Sequence, residues 1–143
     1  MPNPAKNWRE IPQRYRLEAG KCTQCGTVAF PPRLVCPRCG SREFAPYTLA
    51  GAGSLLTYTV IRVAPGSYED QAPYAVGIAA LDDGVQLTAQ VVDCDFEALK
   101  VGMRVRIEFR RINEDGAAGV IHYGYKFVPE PRDEPSARHL PVD

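Results

Sequence analysis

From Leu55 onward, apolar and polar residues alternate with a period of two, the mark of strands buried on one face. Leu55 to Val63, rich in Thr, Tyr, Val and Ile, predicts a first strand. Tyr74, Val76, Ile78 and Ala80 alternate along a second, and Val85, Leu87, Ala89 and Val91 along a third. Asp82-Asp83-Gly84 between them reads as a hairpin turn. In the fourth strand Met103, Val105, Ile107 and Phe109 alternate with Arg104, Arg106, Glu108 and Arg110. Val120, Ile121, Tyr123, Tyr125 and Phe127 predict the fifth, after a turn region over 113–119. The stretch from Asp93 to Lys100 has room for about one helical turn. Five strands, with a short helical insert between the third and fourth, follow the order of an OB-fold barrel.

The first fifty residues obey a different logic. Trp8 reads as the anchor of an otherwise polar arm. Tyr15 and Leu17 alternate with Arg14, Arg16 and Glu18 and predict a short strand. Two Cys-x-x-Cys steps follow, Cys22/Cys25 and Cys36/Cys39, each closed by a glycine (Gly26, Gly40). Four cysteines at this spacing suit one tetrahedral Zn²⁺ per chain, each step supplying two thiolates from a tight knuckle. Two disulfides, or a redox dithiol, are the competing readings. Four thiolates would close the site and leave no position for substrate, so the metal would be structural. Gly51-Ala52-Gly53 reads as a linker. The expected class is mostly β: an N-terminal rubredoxin-like zinc ribbon followed by a five-stranded OB-fold barrel. The expected boundaries are an arm over 1–13, the ribbon over 14–48, the barrel over 49–128 and a proline-rich tail over 129–143. That tail has no periodicity and is expected to be mobile, or to order only on a partner.

Charge narrows the partners. Lys+Arg and Asp+Glu both number 17, so no global field draws the chain to nucleic acid or membrane. Met1 to Glu10 has no leader character, no apolar run reaches membrane-spanning length, and free thiolates suit a reducing compartment. The expected location is the cytoplasm. A catalytic set is not legible. Cys94 is the one cysteine outside the knuckles, and Asp93 and Asp95 beside it would raise its pKa. His122 sits in the fifth strand, where a structural imidazole outweighs a base, and His139 lies in the tail.

Three surfaces invite contact. Arg104, Arg106 and Arg110 share the polar face of strand four, and Arg111, Arg62 and Lys126 extend it. The plain reading is a solvated face; the sharper one is a site for phosphate, of a nucleotide-bearing ligand or of a nucleic-acid backbone. The loop from Pro65 to Pro73 presents Tyr68 as a partner contact, against an ordinary hairpin loop. Phe30, Pro31, Pro32 and Arg33, between the knuckles, either meet a partner or pack ribbon against barrel. Tyr58, Tyr74, Tyr123 and Tyr125 would stack bases if the chain were a single-stranded nucleic-acid binder, although period-two aromatics more often fill a barrel core.

The chain resembles the zinc-ribbon/OB-fold family that accompanies thiolases and other acyl-CoA enzymes. The marks are Tyr15-Arg16-Leu17 before Cys22-Thr23-Gln24-Cys25-Gly26, and Phe30-Pro31-Pro32-Arg33 before Cys36-Pro37-Arg38-Cys39-Gly40. Gly51-Ala52-Gly53 with Thr57-Tyr58-Thr59-Val60, Leu81-Asp82-Asp83-Gly84 and Val101-Gly102-Met103-Arg104-Val105 complete them. The resemblance implies a non-catalytic accessory subunit, a scaffold for a thiolase-type acyl-CoA acyltransferase, with CoA or acyl-CoA met at the interface and its phosphate as the ligand that Arg104, Arg106 and Arg110 would contact. Some members are fused to hydratase or aldolase partners instead. The small subunit of benzoylsuccinyl-CoA thiolase, from anaerobic toluene degradation, is one candidate within the family. No residue pattern here reads an aromatic acyl group. The alternatives are a stand-alone single-strand nucleic-acid binder and a carrier that hands acyl-CoA on.

Overall fold

The computed structural model describes residues 4–130. The tail beyond Glu130, with His139, lies outside the described residues. The chain opens on a helix, α1 (Pro4–Arg16), where an arm and a short strand were expected. Trp8, Ile11 and Tyr15 fall at i, i+3 and i+7 and form one stripe, which outweighs the two-residue alternation around Leu17. Pro12 has no N–H to give the Trp8 carbonyl, so the helix leans on tertiary contacts. Tyr15 meets Phe109 edge to face at 4.8 Å. Trp8 does not anchor the segment: it is 77% exposed.

The ribbon is a small antiparallel sheet of β1 (Glu18–Cys22), β2 (Val28–Ala29) and β3 (Phe44–Thr48), in the order β2-β1-β3. Its apolar burial is slight: Ala19, Ala29 and Leu49 are the covered aliphatic side chains around it. The barrel closes from β4 (Ala52–Ile61), β5 (Tyr74–Leu81), β6 (Gln86–Val91), β7 (Arg104–Glu114) and β8 (Ile121–Pro129). Its order is β4-β5-β6-β8-β7, with β6 and β8 parallel at Val91 and Phe127. This is the five-stranded Greek-key barrel of an OB-fold. The turn of helix between strands three and four is a single 3-10 turn, Phe96–Ala98.

Leu55, Leu87, Val91, Val105 and Phe127 fill the barrel. On β5 the small residues Ala75, Gly77 and Ala79 face inward with Leu81, while Tyr74, Val76, Ile78 and Ala80 take the other face. Both faces of that strand are apolar, so alternation alone could not choose. Space chooses: a Cβ on Gly77 would stand 2.6 Å from Leu55 Cδ1. Gly51-Ala52-Gly53 is not a linker. Gly53 lies inside β4, paired with Leu81 on one side and Val105 on the other.

The β5–β6 turn also ties the two modules together. Arg104 grips Asp82 through two hydrogen bonds of 2.8 and 2.7 Å, which holds the Asp82 carboxyl below its ordinary pKa. Next door, Asp83 accepts from the Tyr47 hydroxyl at 2.6 Å and from the Ala50 amide at 2.9 Å. Phe30 adds an edge-to-face contact to Tyr125 at 5.9 Å.

Candidate functional site

The two knuckles are built alike. Gly26 N–H donates to the Cys22 carbonyl and Gly40 N–H to the Cys36 carbonyl, both at 2.9 Å. Both glycines take the left-handed conformation, at φ 72° and 74°, that such a turn requires. Cys22 and Cys36 amides close each loop on Thr27 and Ser41. The result brings four sulfurs within 4.8 Å of one another. The nearest pairs cross between the knuckles, Cys22 to Cys39 at 3.6 Å and Cys25 to Cys36 at 3.5 Å. A tetrahedron with Zn–S bonds of about 2.3 Å has S···S edges of about 3.8 Å. A disulfide needs about 2.05 Å, so the geometry suits a shared metal ion and not two bridges.

Electrostatics agree. The Cys25 and Gln24 amides point at Cys22 Sγ and lower its pKa. Thr27, through its hydroxyl and its amide, holds the Cys25 thiol down to about 6. The Ser41 amide also favours ionised Cys39, but burial and the three neighbouring sulfurs outweigh it and push that thiol up to about 12. Four sulfurs so close cannot all carry charge without a cation among them. A divalent metal supplies that charge, and the amides then steady the thiolates. The described residues therefore fit a bound ion; Cys22 and Cys36 would form its buried side and Cys39 its exposed side.

The other expected sites are dispersed. Arg104, Arg106 and Arg110 do share one face of β7, but each is ion-paired, with Asp82, Glu108 and Asp93 respectively. Arg111 pairs with Glu114. Lys126 does not extend an exposed patch, because it is buried; desolvation, then Arg111 and Arg110, pull its pKa down. Phe30 packs inward against Tyr125, while Pro31, Pro32 and Arg33 are exposed. Tyr68 is half-buried in a 3-10 turn, Gly66–Gln71, and its ring lies 6.0 Å from that of Tyr74. Both line a cleft of about 700 Å³, with Tyr123 and Tyr125, between α1, this turn and the outer face of the barrel.

No nucleophile and base converge among the described residues. Cys94 is half-buried, and burial, then Asp95 and Asp93, push its thiol up. His122 is already engaged: Nδ1 lies 3.3 Å from Asn7 Nδ2, and Nε2 lies 3.3 Å from an Asp115 carboxylate oxygen. Cys94→Ser should leave the fold and the melting temperature near wild type, as thermal unfolding would show; a large loss would mean that the thiol packs more tightly than its half-burial indicates. What the sequence reading missed is the helix face bearing Trp8, Ile11 and Tyr15. Its helical spacing was the available signal.

Comparison with known proteins agrees with this architecture. Residues 9–45 match the ChsH2 rubredoxin-like zinc ribbon domain, and residues 40–110 the ChsH2 C-terminal OB-fold domain. A DUF35 domain-containing scaffold protein of Methanocaldococcus jannaschii is 49% identical over 125 residues, 87% of this chain and 89% of its own. A protein of the same description from Methanothermobacter thermautotrophicus is 41% identical, over 91% of this chain and 98% of its own. A solved structure, the Ltp2-ChsH2(DUF35) aldolase, superposes with a TM-score of 0.67 at 25% identity. That match covers 90% of this chain and 96% of the other. With its ribbon matched over 9–45, its barrel over 40–110 and a relative 49% identical over most of both chains, the chain belongs to the family of DUF35 domain-containing scaffold proteins.

Proposed function

We propose that this protein is a non-catalytic, zinc-binding scaffold subunit of an acyl-CoA enzyme complex, and that its catalytic partner is a thiolase-type acyltransferase. One observation carries the reading. The densest cluster of reactive side chains in the described chain is an all-thiolate centre, closed to substrate once it holds one zinc. In the barrel, Cys94 packs against the core and His122 is held by Asn7 and Asp115, with no nucleophile–base pair for acyl transfer among the described residues. The scaffold description of the relatives and the aldolase complex among the solved structures support a hetero-oligomer. A zinc site of four thiolates suits a reducing compartment, and the cytoplasm is one.

The finer parts follow from the same reading. CoA would meet this chain at the subunit interface. Arg104, Arg106 and Arg110 contact its phosphate only if that phosphate displaces Asp82, Glu108 and Asp93. The same pairings oppose the nucleic-acid alternative, which would show as oligonucleotide binding that weakens steeply with salt. Benzoylsuccinyl-CoA is one substrate to assay.

Co-expression tests the proposal. Co-expressed with a thiolase-like subunit from the same organism, this chain should elute with it as one complex, and thiolase activity should need both. A thiolase fully active by itself, with this chain running alone, overturns the proposal. Assembly with an aldolase-type or hydratase-type subunit instead keeps the scaffold and removes the thiolase.

A further inference from the structure

Helix α1 and the outer end of the β7–β8 hairpin leave one continuous apolar surface. Trp8, Ile11 and Tyr15 supply the helix side; Val120, Ile121 and Tyr123 supply the hairpin side. Phe109 joins them, edge-on to Tyr15 at 4.8 Å and stacked on Tyr123 at 5.4 Å. Much of this surface meets solvent: Trp8 is 77% exposed and Val120 61%. Large aromatic groups in such exposure are characteristic of protein interfaces and their hot spots.

Size and charge indicate what covers it. The groove between helix and hairpin holds about 220 Å³. Small-molecule pockets usually run from about 300 to 1,000 Å³, so this one is small for a metabolite and suits a single protruding side chain. The helix carries Lys6, Arg9, Arg14 and Arg16 against one acid, Glu10, which Lys6 and Arg14 share, while Arg16 pairs with Glu18 beyond the helix, so a net positive charge remains. Arg9 follows Trp8, is exposed, and makes no ion pair among the described residues. A second copy of this chain would bring the same basic helix to the face and be repelled. A partner that fits presents a large apolar side chain ringed by carboxylates.

We infer that this face, and not the loop between the knuckles, is where the catalytic subunit docks, the partner inserting an apolar side chain between Trp8 and Tyr123 and placing acidic groups along α1. The inference rests on the scaffold reading above. It deepens that reading by assigning the surface and the chemistry of the partner's contact.

The test uses the full chain and the purified thiolase-like subunit, with binding followed by calorimetry. Trp8→Ala and Val120→Asp should each weaken binding about thirtyfold or more, as loss of a central hot spot does, with the melting temperature unchanged. Arg9→Glu should weaken binding and flatten its salt dependence. Leu34→Asp, on the exposed loop between the knuckles, should bind as wild type. If Leu34→Asp abolishes binding while Trp8→Ala and Val120→Asp do not, the docking face is wrong and the scaffold reading stands. If Trp8→Ala changes only the self-association of this chain, the face belongs to a second copy and the inference fails. If the wild-type chain binds no such subunit, the scaffold reading fails and this inference with it.

Discussion

Cys36→Ser should empty the metal site and unfold the ribbon, while the barrel keeps its strands. The wild-type chain should carry one zinc and the variant none. Structural zinc binds ribbon-like peptides with an apparent free energy of about 10–16 kcal/mol, comparable to the whole stability of a typical domain. The ribbon has little else to hold it. Its covered aliphatic residues are Ala19, Ala29 and Leu49, far short of what a metal-free sheet of this size needs. Cys36 is buried, and its sulfur lies 3.5 Å from Cys25. Removing it leaves three thiolates that repel one another once the cation has gone. The barrel has its own core around Leu55, Val105 and Phe127. Amide exchange should therefore lose protection across Glu18–Cys22 and Phe44–Thr48 and keep it across β5 to β8. A strong chelator should have the same effect on the wild type. A metal-free chain with a fully protected ribbon would show that zinc is not structural here.

Gly53→Ala should destabilise the barrel by at least the range for overpacked cores, about 1–3 kcal/mol. The added methyl would stand 2.3 Å from the Ala80 carbonyl oxygen and 2.7 Å from Leu81 Cα. Those are main-chain atoms of the paired strand, so no rotamer change relieves the contact. The β4–β5 ladder has to open at the point where β4 also pairs with β7. Gly66→Ala makes a fair control. Its methyl would meet nothing nearer than the end of the Glu69 side chain at 4.0 Å, and stability should hardly move. Urea midpoints measure both. Equal midpoints for Gly53→Ala and wild type would restore Gly51-Ala52-Gly53 to the role of a linker.

That glycine run shows how far the sequence could be read. Punctuation by glycine has two physical causes, a free backbone and a crowded one, and composition cannot separate them. The cysteine knuckles were legible because metal chemistry demands a fixed residue type at a fixed spacing. The five barrel strands were legible because apolar residues recur along them at a period of two, although burial follows that period cleanly only on β5 and β6. β5 was legible as a strand but not as a face, since Tyr74, Val76 and Ile78 are as apolar as the Ala75, Gly77 and Ala79 set that faces inward. Volume decided, and volume is a property of the assembled barrel. Helix α1 was hidden by Pro12 and by a polar majority, with its stripe reduced to three residues. Tyr68 was expected to stand in an exposed loop as a partner contact, yet it sits half-buried in a 3-10 turn with its ring 6.0 Å from that of Tyr74, a contact local sequence does not announce. The arginines of β7 do share one face; Arg106 finds its carboxylate on the same strand, at Glu108, but the partners of Arg104 and Arg110 come from distant turns, beyond the reach of local pattern.

The turn at Asp82-Asp83-Gly84 does more than reverse the chain. Its two carboxylates pull in opposite directions, Asp82 towards Arg104 in the barrel and Asp83 towards Tyr47 and Ala50 at the end of the ribbon. A module built on metal and a module built on core are thus joined through two adjacent side chains of one turn. Loss of either carboxylate would loosen that join while leaving both the cysteine cluster and the barrel core as they are.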